Sequence, residues 1–164
     1  MRLLMMLLAI LVSSNTFSAE ITNFTSGPSC TDAKNFGWIC HHSKEVIVTG
    51  QGTCEWNGES KPCTWHGFEF DYKNNEKNTK VECTYKTSHP MSEGNFDGVR
   101  NKESDSGEFS FLLNDESGHF YNPQFYILSI QEKEKSIVRT ETNCSINGAP
   151  AFSYEINAHF PVRK

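Results

Sequence analysis

The 164-residue chain is short of basic charge: 15 Lys and Arg stand against 20 Asp and Glu, a formal net charge of −5. Without a basic footprint, phosphate-driven binding of nucleic acid and adhesion to anionic lipid heads are unsupported. No apolar run after the first dozen residues is long enough to span a bilayer by helix. No window sustains the i, i+3, i+4, i+7 apolar spacing of an amphipathic helix. Cys-x-x-Cys is absent, which argues against a zinc ribbon and a thioredoxin-like redox centre. So are the phosphate loop, the dinucleotide fingerprint, His-Glu-x-x-His, Gly-x-Ser-x-Gly and Ser-x-x-Lys. Gly50-Gln51-Gly52 carries only two fingerprint glycines and reads as a turn. These gaps close the short routes to naming a reaction, although catalytic residues can still converge from distant positions.

What is present reads as an exported, cysteine-stapled domain. Met1 to Ala19 combines Arg2, the apolar run Leu3 to Val12 and a small, polar stretch up to Ala19, the layout of a secretory signal peptide. Its apolar run falls short of the ~20 residues that a spanning helix needs, so no membrane insertion is expected after cleavage. Residues 20–164 are expected to form one domain. With 37% hydrophobic and 21% charged residues, the composition is that of a folded chain. The expected location is secreted or periplasmic.

All six cysteines follow the expected cleavage point, and an even number in an exported chain implies three disulfides and no free thiol nucleophile. Cys83 and Cys144 share parity with apolar neighbours, so both are expected to face inward and to bridge. The other four are paired locally, Cys30 with Cys40 and Cys54 with Cys63. A tight turn ending at Gly58 would carry Cys63 beyond the ~7 Å Cα limit from Cys54. The bridge is therefore expected to come with a wider loop from Trp56 to Lys61.

Short alternating runs bounded by Gly, Pro, Asn and Asp recur along the chain, which predicts an all-β fold. The predicted strands are Glu45–Thr49, Thr53–Trp56, Cys63–Tyr72, Thr79–Lys86, Glu108–Leu113, His119–Ile130, Ser136–Ile146 and Ala151–Phe160. They suit one disulfide-stabilised antiparallel β-sandwich of about seven to eight strands. In Cys63–Tyr72 the large residues change phase between Trp65 and Phe68, which predicts a β-bulge at His66-Gly67. Even positions on both arms of the last hairpin call for a three-residue loop, Ile146-Asn147-Gly148, with a G1 bulge. Thr87 to Gly107 is polar and predicts a surface loop.

Candidate site residues are few. His41, His42 and His66 are the histidines with acid–base or metal potential; an ordinary surface role is the plainer reading for them, and no metal or cofactor is expected. Glu93, Asp97, Glu103, Asp105 and Glu108 could offer oxygens to calcium but lack the EF-hand spacing. Asn23-Phe24-Thr25 and Asn143-Cys144-Ser145 match the glycosylation pattern, which matters only in a eukaryotic secretory route. Trp38, Trp56 and Trp65 either pack against disulfides in the core or form an exposed platform. The leading expectation is a non-enzymatic binding module whose partner is a protein or a glycan. A small hydrolase or metal-dependent enzyme using His41, His42 or His66, and a structural subunit of a surface assembly, are the alternatives.

Overall fold

The computed structural model describes residues 19–30, 38–73, 76–95 and 98–163, with the backbone alone over 93–102. The expected signal segment, up to residue 18, lies outside the described residues, as do Asp97 and the side chain of Glu93. Among the described residues there are nine strands and no α-helix. In chain order they are β1 (Glu20–Pro28), β2 (Glu45–Ile47), β3 (Gly52–Trp56), β4 (Glu59–Lys73), β5 (Thr79–Asn95), β6 (Gly98–Leu113), β7 (Ser117–Ile127), β8 (Ile137–Ile146) and β9 (Ala149–His159).

They form two sheets. In the first, β4 is central, with β7 along one side and β1 and β3 in tandem along the other. The second runs β2-β9-β8-β5-β6. Its β2–β9 pairing is parallel, so the fold is not purely antiparallel. Alternation decides which residues meet between the sheets. Phe68, Phe70 and Tyr72 of β4 share a buried cluster with Val81, Cys83, Leu113, Cys144 and Ile146 of the second sheet. Rings close the contact, with Phe111 of β6 stacked on Phe120 of β7 at 4.2 Å. A second cluster gathers Val48, Val138, Ala158 and Phe160.

Disulfides join Cys30 to Cys40, Cys54 to Cys63 and Cys83 to Cys144. Cys83 and Cys144 are directly paired across β5 and β8, with Cα atoms 4.1 Å apart. Three bridges suit an oxidising compartment, and no helix among the described residues is long and apolar enough to cross a membrane.

Several local expectations are corrected. Thr87 to Gly107 is the far half of a long β5–β6 hairpin rather than a loop. Backbone pairing needs no apolar side chains, and two irregularities in register hide the hairpin's alternation. Met91 in this stretch packs against the second cluster. No bulge occurs at His66-Gly67, because β4 pairs with β7 in unbroken register from Cys63↔Ile127 to Lys73↔Ser117. The phase change arises because β4 carries large residues on both faces. The bulge in this sheet lies instead in β1 beside Asn23, whose φ is 52°.

Both Asn-Gly hairpins use two-residue loops with positive φ at each position, 56° and 72° at Asn57-Gly58 and 52° and 76° at Asn147-Gly148. In the last hairpin the even-to-even pairing is restored by a bulge at Ala151, not by a longer loop. The first tight turn and the Cys54–Cys63 bridge coexist. Cys54 pairs with Lys61, Cys63 is its diagonal neighbour, and their Cα atoms stand 5.8 Å apart. Strand twist brings one diagonal closer than a flat ladder would. Strand β1 and the shortening of the first predicted strand to Glu45–Ile47 are further differences; there Thr64 Oγ1 accepts the N–H groups of Thr49 and Gly50 as the chain turns away.

Candidate functional site: the outer face of the first sheet

The even residues of β4 from Thr64 to Tyr72 are buried, so its odd residues form the opposite face. Register carries that face across the sheet. Trp65 lies opposite Phe125, Glu69 opposite Tyr121 and Asp71 opposite His119. On the other flank Trp56 pairs with Glu59 and belongs to the same face. Trp65 and Trp56 both set an edge against Phe125, at 5.2 and 6.5 Å. Gly52 makes room for this arrangement, since a Cβ there would lie 2.9 Å from the Trp65 ring.

At the other end of the face, the segment closed by Cys30–Cys40 lays Trp38 over the strands. Cys30 N–H donates to the Trp38 carbonyl at 2.8 Å, and Ile39 bridges to Ser29. The Trp38 ring lies 4.7 Å from His119 and 6.1 Å from Tyr121, yet the residue is 46% exposed. Beneath it, the imidazole is held between two carboxylates, with Nδ1 2.8 Å from Asp71 and Nε2 3.6 Å from Glu69. Asn23 at the β1 bulge donates its amide to the other Asp71 oxygen at 2.7 Å. These hydrogen bonds, that of Asn23 first and that of His119 next, hold the Asp71 carboxyl below its ordinary value. Tyr121 shares a hydrogen bond with Ser29 at 3.1 Å, and burial raises its phenol.

Among the described residues, the strand positions between the two ring clusters are Gly67 and Pro123. A Cβ at Gly67 would fall 2.1 Å from the Asn122 carbonyl oxygen, so only glycine fits there, and its partner is Pro123. The result is a stripe with rings at each end, hydrogen-bonding groups at one end and a flat centre. Such a stripe can stack on a ligand and accept hydrogen bonds from it.

Trp38, Trp56 and Trp65 thus share one outward face, and none joins the buried core. The histidines singled out by sequence do not converge. His41 and His42 are exposed, and His42 Nδ1 accepts the Ser26 N–H at 3.4 Å. His66 is buried, stacked on Tyr126 at 4.2 Å, with Nδ1 unpaired. Burial lowers its pKa to about 3, which leaves it neutral and out of reach of a ligand. Among the described residues no group of three or more His, Cys, Asp or Glu side chains could hold a metal ion. Sequence reasoning missed His119, Tyr121, Phe125, Glu69, Asp71 and Asn23. Strict alternation along β4 carried a signal for Glu69 and Asp71, since both share the parity of Trp65. No protein-family model matches the chain, and no curated protein matches it.

Proposed function

We propose that the chain is a non-enzymatic binding module of an exported compartment, its two sheets forming a sandwich that presents the Trp38–Trp56–Trp65 face to a protein or glycan. The observation that carries this reading is the gathering of three tryptophans, from separate parts of the sequence, on one solvent-facing surface. Large rings left in water are costly to keep exposed and characterise interaction surfaces. They are pre-positioned by strands and a disulfide, so little conformational entropy is lost on contact.

The enzymatic alternative draws little from His41, His42 and His66, which point to separate environments. A surface-assembly role would use a strand edge. Pro123, in the middle of the edge strand β7, removes a donor from that strand. The test replaces Trp38, Trp56 and Trp65 singly with Ala, verifies fold and disulfides, and measures capture of envelope proteins and glycan arrays. Loss of a captured ligand in at least one variant is expected; unchanged capture by all three would remove the proposed face. A turnover signal abolished by His66→Ala would overturn the binding reading altogether.

A further inference from the structure

Resting on that reading of the face, we infer that its occupant is an extended, uncharged glycan that lies along β4 and β7 and bridges the two ring clusters. The first argument is composition. Rings dominate this face, with Trp38, Trp56, Trp65, Tyr121 and Phe125 against a single aliphatic, the half-buried Ile127 opposite Cys63, whereas the exposed Ile47, Leu112 and Ile137 lie on the outer face of the second sheet. Sugars present flat C–H faces to rings and hydroxyls around the rim, so aromatic planes edged by fixed acceptors match them. A protein partner would draw on aliphatic area too.

The second argument is charge. Several charges on this face are paired with each other. Lys61 meets Glu59 at 3.2 Å beside the Trp56 cluster. Under Trp38, Asp71 and Glu69 flank His119, and Asn23 takes the remaining Asp71 oxygen. Among the described residues of this face carboxylates outnumber cations, Lys73 at the end of β4 stands opposite Glu20, and the net charge of −5 opposes an anionic ligand. A carboxylate accepts about four hydrogen bonds, so Asp71 and Glu69 keep capacity for hydroxyl donors.

The third argument is length. At ~3.3 Å per residue, Trp65 and Asp71 stand about 20 Å apart along β4. Gly67 and Pro123 lie next to Trp65 on that path, and Glu69 and Tyr121 follow before Asp71. A ligand touching both clusters must therefore be an oligomer rather than a single sugar.

The experiment titrates the purified chain with glucose- and N-acetylglucosamine-based oligosaccharides of increasing length and with heparin, by calorimetry and by amide shift mapping. The expected result is affinity that rises with length until the oligomer spans both clusters and then levels off. Trp38→Ala and Trp65→Ala each reduce affinity for the long oligomer at least tenfold, to the level of the short one. Glu141→Ala, on the opposite outer face, leaves it unchanged. Shift mapping on the unaltered chain reads the same contact if a variant fails to fold. Affinity independent of length would overturn the bridging inference. Heparin shifting the ring face while no uncharged oligomer does would overturn the inference of an uncharged occupant and leave the face reading standing. A ring face that responds to none of these ligands would sink both.

Discussion

The two outer faces of this molecule obey the same alternation rule and differ in chemistry. The outer face of the second sheet is built from Glu82, Thr84 and Lys86 on β5, Ser106, Glu108 and Ser110 on β6, and Arg139, Glu141 and Asn143 on β8, all exposed. Its charges pair along and across strands, as in Arg139 with Glu141 at 2.6 Å and Glu155 at 2.8 Å. Polar and charged side chains dominate it, with the aliphatic Ile47, Leu112 and Ile137 among them. The outer face of the first sheet instead spends its outward positions on Trp38, Trp56, Trp65, Tyr121 and Phe125. Solvation does not account for that choice, which is why the proposed binding surface is placed on this face.

If this division holds, changes on the inner faces should cost stability, changes on the ring face should cost recognition, and changes on the polar face should cost little of either. The largest effect is expected from His66. Its pKa of about 3, against an ordinary 6.5, means that the unfolded chain binds the proton more readily between those values. Its contribution is full above pH 6.5 and is lost as pH falls towards 3, by about 1.4 kcal/mol per unit and about 5 kcal/mol in all. His66→Phe, which keeps a ring against Tyr126, should flatten that part of the acid profile. Urea titrations of both forms between pH 7 and 3 check it; parallel profiles would show that His66 finds a partner in the folded chain.

Next comes the bridge within the second sheet. Cys83 and Cys144 are 61 positions apart, and opening so long a loop should cost about 4 kcal/mol on the loop-entropy account. The double variant Cys83→Ala/Cys144→Ala should melt well below the parent yet bind as the parent does at temperatures where it stays folded. Impaired binding by the folded variant would couple the inner frame to the ring face and weaken the division.

How much of this was legible in sequence follows from which interactions are local. The all-β character is carried by alternation within single strands, and the inward parity of Cys83 and Cys144 could be read in the same way. Register is not local. Trp65 looked like a phase error at a bulge because nothing in Cys63–Tyr72 reveals that both faces of β4 are used. The ring face became visible only when β7 was set beside β4, since His119, Tyr121 and Phe125 gain their meaning from Asp71, Glu69 and Trp65 opposite. The polar hairpin from Thr87 onward was missed for the complementary reason: its strands pair through backbone groups, and its sequence is largely polar.

On the ring face the expected effects reverse. Trp65→Ala should remove most ligand affinity while lowering stability by only about 1–2 kcal/mol, because the residue is half-buried rather than part of the core. Gly52→Val probes the same ring without replacing Trp65, as the added side chain would displace the indole. A Gly52→Val form that binds like the parent would show that Trp65 orientation does not matter. On the polar face Arg139→Ala should change stability by no more than about 0.5 kcal/mol, despite its two ion pairs, since these are exposed and screened. It should leave binding untouched.

The smallest effect is a shift within one carboxyl. Asp71 owes its low pKa first to the Asn23 amide and then to His119, both hydrogen-bonded to its charged form. Asn23→Ala removes the larger cause and should move the Asp71 titration up towards its ordinary 3.8. A depressed carboxyl favours the folded state above its ordinary pKa and loses that advantage as pH falls through the folded value. In Asn23→Ala this window should narrow, with neutral-pH stability almost unchanged because the pair is exposed. Carboxyl-carbon NMR titrations of both forms measure the shift. Because Asp71 fixes the imidazole beneath Trp38, the Trp38 indole signals should follow the same titration. If the carboxyl moves and the indole does not, Trp38 is held by its disulfide-closed segment alone, and the polar groups beneath it serve the ligand rather than the ring.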